Sequence, residues 1–138
     1  MNYWLVKSEP QKYPISRFEE DGSTIWDGVR NYQARNNLQA MRLGDLCLYY
    51  HSNEGREIVG LARVVKEAFQ DPTTSEDAWV VVELAFEELF PRPFGLAEMK
   101  AHPVLSKMEL IRQSRLSVVP VRTEEFDLVI RLTHPEEN

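Results

Sequence analysis

The chain has 138 residues, which is the size of one domain, and its balance of 43% hydrophobic and 28% charged residues is that of a globular protein. A single cysteine, Cys47, excludes an intramolecular disulfide, and a chain this long buries enough surface to need no metal or disulfide staple. The formal net charge of −6 excludes a broadly basic duplex binder, so any nucleic acid must be met by a local basic patch.

Met1 to Lys7 is too short and too polar for a signal peptide, so the expectation is a cytoplasmic chain, or a nuclear one in a eukaryote, with no membrane contact. Tyr3 to Val6, aromatic and branched, predicts a buried first strand. Pro10 lacks an amide donor and ends it, which leaves Lys7, Ser8 and Glu9 at the strand's carboxyl end. Ser16-Arg17-Phe18-Glu19 has capping-box form, with Ser16 as the cap of a short helix that stops near Gly22. Ile15 and Phe18 face the core.

Ser23 to Gly28 is extended. A helix follows from about Asn31 to Met41, with Tyr32, Leu38 and Met41 on one face and Asn37 pointing elsewhere. Gly44 is its expected C-cap. Leu46 to Ser52 and Ile58 to Val65 form a hairpin, and Gly60 inside it marks a bulge or a close backbone approach. Ala68 to Asp77 reads as a loop and Trp79 to Phe86 as a third strand. Phe90 to Phe94 reads as a proline-fixed connector, and a short helix over 95–100 is broken by Pro103. A turn and a short strand fill 110–121, Thr123 caps a last helix, and His134 to Asn138 is a frayed tail. The order predicts an α+β fold, a curled mixed sheet or partial barrel with flanking helices.

The chemistry is concentrated in ten residues, Trp26 to Arg35. A tryptophan offers a flat apolar face, and amides, a carboxylate and guanidinia offer fixed donors and acceptors. That is what holding a planar polar ring requires. The base-pocket candidates are Lys7, Ser8, Glu9, Trp26, Asp27, Asn31, Tyr50, His51, Ser52 and Ser117, with Trp26 as the stacking surface. Arg30, Arg35, Arg112, Gln113 and Arg115 are the candidates for its phosphate-facing rim. Replacing Trp26 by alanine is expected to abolish discrimination and leave the fold intact. The competing description is a core tryptophan with solvated arginines.

Other chemistry finds little support. His51, His102 and His134 are far apart and Cys47 has no second cysteine beside it, so neither a metal nor a cofactor is expected. Cys47 and His51, if on one strand, lie roughly 13 Å apart at about 3.3 Å per residue, beyond hydrogen-bond reach. The enzymatic alternative is an amidohydrolase-like activity on a modified nucleoside, using Lys7, Glu9 and Asp27.

Several stretches carry a resemblance: Tyr3 to Pro10, Trp26 to Asn36, Tyr49 to Asn53, Ile58 to Ala62 and Arg112 to Val118. Together and in this order they resemble the EVE domain, over residues 1–138. The resemblance implies a PUA-like curled sheet and kinship with YTH domains, which enclose a methylated base in an aromatic cage. It also implies a non-enzymatic reader of a modified base, chiefly modified cytosine in DNA, with modified RNA as the other polymer. Trp26 matches one cage tryptophan of YTH domains, and Lys7, Ser8, Glu9 and Asp27 line the same pocket. The second cage tryptophan has no match here, which leaves Tyr32, Tyr50 or His51 to complete the cage. Separately from the resemblance, a lone module of this size is expected to be a monomer that works beside an effector protein acting on the detected nucleic acid.

Overall fold

The computed structural model describes residues 1–135. Among them are six strands in one mixed sheet, in the order β2-β5-β4-β3-β1-β6. The strands are β1 (Tyr3–Ser8), β2 (Ser23–Ile25), β3 (Leu46–His51), β4 (Glu57–Gln70), β5 (Val80–Gly95) and β6 (Val118–Val121). The helices are α1 (Ile15–Asp21), α2 (Tyr32–Ala40), α3 (Leu96–Ala101), α4 (Glu109–Arg112) and α5 (Thr123–Thr133). This is the mixed α+β sheet read from the sequence. No described helix is long and apolar enough to cross a membrane.

β1 runs parallel to β3 and antiparallel to β6, so it lies inside the sheet with helices on both faces. Side chains alternate across a strand, and the alternation splits β1 between two cores. Trp4 and Val6 join Phe18, Trp26, Leu38 and Tyr49 on the face covered by α1 and α2. Leu5 joins Leu48, Phe90, Leu105 and Phe126 on the face covered by α3, α4 and α5. Burial on both faces explains the unbroken apolar run Trp4-Leu5-Val6.

Gly60 meets both expectations for it. Pairing slips between Tyr49 and Tyr50 in β3 and between Ile58 and Gly60 in β4. A Cβ at Gly60 would lie 2.1 Å from Ile15 Cδ1 and 2.5 Å from the Glu88 carbonyl oxygen.

Several local expectations are corrected. Ser16 does not cap α1: the helix begins at Ile15 behind an extended Pro14, with no side-chain cap. The Ile15 amide instead donates to His51 Nε2 across 3.1 Å, which satisfies a first-turn donor from outside the helix. Thr123 lies inside α5 rather than capping it; Glu125 accepts from the Arg122 amide at 2.9 Å and from its guanidinium at 3.1 Å. On α2, Tyr32 is exposed and Asn37 is buried, donating to the Val118 carbonyl at 2.7 Å. Gly44 is not the C-cap of α2, which ends at Ala40; it sits in the next turn at φ 90°.

Both long strands exceed their expected ends. Ala68 to Gln70 continues β4, and the Phe90 to Phe94 segment is part of β5. Pro91 and Pro93 are tolerated there because neither is paired on either edge: the register with β4 jumps from Leu89 to Phe94, and β2 pairs with only Glu83 to Ala85. Beyond that point the outer edge of β5 has no ladder to lose, and a missing amide costs nothing. His134, placed in the frayed tail, is buried: its Nε2 lies 2.8 Å from Glu88 Oε2. The rest of that tail, 136–138, lies outside the described residues.

Candidate nucleic-acid interface

The carboxyl ends of β1 and β2 open onto a cavity of about 400 Å³, within the size range of small-ligand sites. β1 supplies Lys7 and Ser8, and the turn after it supplies Glu9, Lys12 and Tyr13. β2 supplies Thr24 and Ile25 and leads directly into Trp26, Asp27, Gly28, Val29 and Arg30. Ser117, just before β6, closes the ring. Its carbonyl accepts from the Lys7 amide at 2.9 Å, which ties the last strand to the first at the cavity.

Trp26 forms part of this wall while remaining mostly buried, with 8% of its surface exposed. Its amide donates to the Val82 carbonyl at 2.8 Å and extends the β2 ladder by one residue. The ring stands edge-on to Tyr49, with centroids 5.6 Å apart and planes at 81°. It is also edge-on to Tyr13, at 6.4 Å and 76°. The other two indole N–H groups are matched to carboxylates: Trp4 donates to Asp45 at 3.0 Å and Trp79 to Glu76 at 2.8 Å. The Trp26 N–H has no acceptor among the described residues, and it is not sealed away from solvent. The exposed Asp27 carboxylate likewise has no partner among them.

Most of the remaining lining side chains are already engaged. Lys7 Nζ donates to the Ser114 carbonyl at 2.7 Å, and half-burial holds its pKa below the ordinary lysine value. The Ser8 hydroxyl donates to the Tyr13 carbonyl at 2.8 Å, which also accepts from Tyr49 at 2.6 Å. Glu9 accepts from Asn53 at 2.7 Å and pairs with Lys12 at 3.0 Å. Tyr13 donates to Asp21 at 2.8 Å; burial, followed by that bond, pushes its hydroxyl up to about 12.

Asp71 organises the loop beside Trp26, and sequence reasoning missed it. It is fully buried. One oxygen accepts from the Gly28 amide at 3.2 Å and from Arg30 at 2.9 Å. The other accepts from the Thr73 amide at 2.8 Å and the Thr73 hydroxyl at 2.6 Å. Gly28, at φ 78°, makes the turn that brings its amide there, a conformation that suits glycine. Asp71-Pro72-Thr73 has the form of an Asx turn, a signal present in the sequence. Tyr13, between two prolines and outside any periodic segment, gave none.

Burial alone would raise the Asp71 pKa, but these hydrogen bonds outweigh it and lower the value from 3.8 to about 2. A carboxylate held lower in the folded than in the unfolded chain adds stability that is complete above about 4 and is lost as the pH falls through about 2. The contribution is about 2 kcal/mol at neutral pH. Asp71→Asn is expected to lower the neutral-pH unfolding free energy by about that amount and to flatten its decline between pH 4 and 2. Urea unfolding across that range checks it; parallel declines for both proteins would refute this role.

The structure thus gathers Lys7, Ser8, Glu9, Trp26, Asp27, Arg30 and Ser117 at one cavity. It places the other candidates elsewhere. Asn31 caps α2 by accepting from the Ala34 amide at 3.0 Å. Arg35 donates to the Ala78 carbonyl at 3.1 Å and lies over the ring of Tyr32, which itself packs on Trp79. His51 accepts from Ile15, and burial lowers its pKa. Tyr50 and Ser52 line an adjoining groove, together with Arg115. Arg112 and Gln113, both exposed, reach back to Glu109 at the start of α4. Tyr32, Tyr50 and His51 therefore do not complete a cage around Trp26; Tyr13 is the second aromatic ring at the cavity. Cys47 is a fully buried core residue whose thiol is pushed up by burial. No group of three metal-ligating side chains forms among the described residues.

The chain was compared with known proteins. Mouse thymocyte nuclear protein 1 is 38% identical, matching 98% of this chain and 75% of its own length. A protein from Agrobacterium tumefaciens has a crystal structure that superposes with a TM-score of 0.94 at 43% identity, covering 96% of this chain and 93% of that one. The crystal structure of human THYN1 protein in complex with 5-methylcytosine containing DNA superposes with a TM-score of 0.88 at 38% identity, covering 96% and 98% of the two chains. The EVE domain model matches residues 2–132, and with these relatives it shows that the chain belongs to the EVE domain family.

Proposed function

We propose that the cavity binds a single modified base of DNA, of the 5-methylcytosine class, and that the chain is a reader rather than an enzyme. The observation that carries this is Trp26: an indole at a cavity large enough to admit a base, whose N–H has no acceptor among the described residues. A ring stacked on an aromatic gains roughly 1–3 kcal/mol. The indole N–H, the Asp27 carboxylate and the Ser117 hydroxyl supply one or more donors and acceptors for its edge. The human relative solved with 5-methylcytosine containing DNA supports the choice of polymer and modification.

The amidohydrolase reading is disfavoured by the same geometry. Lys7 is tied to a carbonyl, and both oxygens of Glu9 are occupied by Asn53 and Lys12. Neither is a poised nucleophile or base, and the exposed Asp27 is left without a neighbour to act with as an acid–base pair.

Titration with otherwise identical duplexes carrying cytosine, 5-methylcytosine or N6-methyladenine tests the reading. Tighter binding to the 5-methylcytosine duplex is expected. Equal, purely salt-driven binding to all three would sink it.

A further inference from the structure

The base cavity does not end at its own rim. It shares Lys7, Glu9 and Ser117 with the adjoining groove, which continues past Ser114 and Arg115 to Arg56. That groove in turn shares Arg56 and Leu96 with a third depression, which ends at Lys100. The three hollows thus lie in a row, each bordering the next through shared residues, and together they outline a path over the surface.

The path is cationic on a chain whose net charge is −6. Along the second and third hollows the lining cations are Lys7, Arg115, Arg56 and Lys100, and the one lining carboxylate is Glu9. Glu9 is already neutralised by Lys12 at 3.0 Å. Arg115 and Lys100 have no hydrogen-bond or ion-pair partner among the described residues. Arg56 donates through Nε to the Asn53 carbonyl at 3.3 Å, and its outer guanidinium nitrogens have no partner there.

Arg56 is also held by design of its turn. Asn53 and Arg56 adopt left-handed backbone conformations, at φ 71° and 49°; asparagine takes this up readily, whereas arginine does so mainly where its surroundings hold it there. Two bonds impose it here: Asn53 donates to Glu9 at 2.7 Å, and the Leu96 amide donates to the Arg56 carbonyl at 2.8 Å. A turn fixed on both sides, carrying an exposed guanidinium whose outer nitrogens have no partner among the described residues, marks a functional position more than a structural one.

We propose that this path is the track of the DNA strand that delivers the base, with Lys7 at the junction and Arg115, Arg56 and Lys100 meeting successive phosphates. The proposal rests on the base-reading function above and adds to it the partner's route. Lys7 suits the junction because its ammonium uses one donor on Ser114 and keeps two more. Phosphate contacts carry no sequence or modification information, so the track contributes affinity and the cavity contributes discrimination.

The test measures binding of the full chain to unmodified and 5-methylcytosine duplexes by fluorescence anisotropy from 50 to 200 mM salt. The variants are Arg56→Asn, Lys100→Gln and Arg115→Gln; asparagine is chosen because it tolerates the left-handed backbone. Arg63→Gln, on β4 and paired with Glu87, is the control. Each track variant is expected to bind both duplexes several-fold more weakly and to reduce the slope of log K against log salt by about 0.9. The ratio between duplexes stays at the wild-type value, and the control leaves the slope unchanged. Wild-type slopes in all three variants would overturn the track whatever the ratio shows. A wild-type ratio of one, with reduced slopes, would overturn the base reading and leave the track standing.

Discussion

Trp26→Ala is expected to destabilise the fold by about 3–5 kcal/mol, the usual range for truncating a buried tryptophan. For a chain of this length that lowers the melting temperature by about 10 °C or more. The sequence alone suggested that this substitution spares the fold. The structure corrects that, because Trp26 belongs to the core beneath α1 and α2 and its ring braces Tyr49 and Tyr13. A cavity left there removes support from both tyrosines and from the Asp27 to Arg30 loop. Trp26→Phe is the more informative functional variant. It keeps an aromatic face and most of the packing but removes the indole N–H, so it should retain the fold and lose part of the modified-base preference. Chemical unfolding of both variants separates the two effects. A Trp26→Ala protein with the wild-type midpoint would show that the ring is not part of the core.

Gly60→Ala is expected to cost at least the upper end of the 1–3 kcal/mol typical of overpacking. The added methyl meets Ile15 Cδ1 at 2.1 Å and the Glu88 carbonyl oxygen at 2.5 Å. The isoleucine terminus can rotate away, but the carbonyl belongs to the paired backbone of β5 and cannot move without opening the ladder. Adding Ile15→Val should therefore rescue only a minor part of the loss. A functional effect follows as well, since Ile15 follows Tyr13 by two residues and its displacement reaches the cavity wall. Denaturant midpoints for the single and double variants decide the matter; a Gly60→Ala chain as stable as the parent would refute the close approach.

What the sequence conveyed depended on how local the signal was. Period-two alternation and β-branched runs located the strands, and the Trp26 to Arg35 cluster pointed to the cavity. Failures arose where a distant partner set the outcome. Ser16 has the right neighbours for a cap, yet His51, 36 residues away, satisfies the first turn of α1. Phe90 to Phe94 read as a proline-fixed connector, but β5 runs through it, because the register with β4 skips 90–93 and β2 does not reach that edge. Arg35 looked free for phosphate, but α2 aims it at the Ala78 carbonyl. Asn31 is polar enough for a pocket wall, yet the helix it begins claims its oxygen. Side-chain chemistry is visible in a sequence; prior commitment of a side chain is not.

The placement of β1 has a consequence for how the chain is made. Its neighbours are β3, about 43 residues later, and β6, almost at the other terminus, with Tyr3 opposite Val121. Of the six strands, β1 is therefore made before the others and waits longest for its second partner. Until residues 118–121 emerge, one side of an apolar strand stays unpaired, a template for association with other nascent chains. The same event that closes that edge brings Ser117 onto Lys7 and finishes the cavity. Contacts this distant in sequence form slowly, so binding competence arrives late and all at once. A truncated or stalled chain would lack the site and carry the exposed edge together.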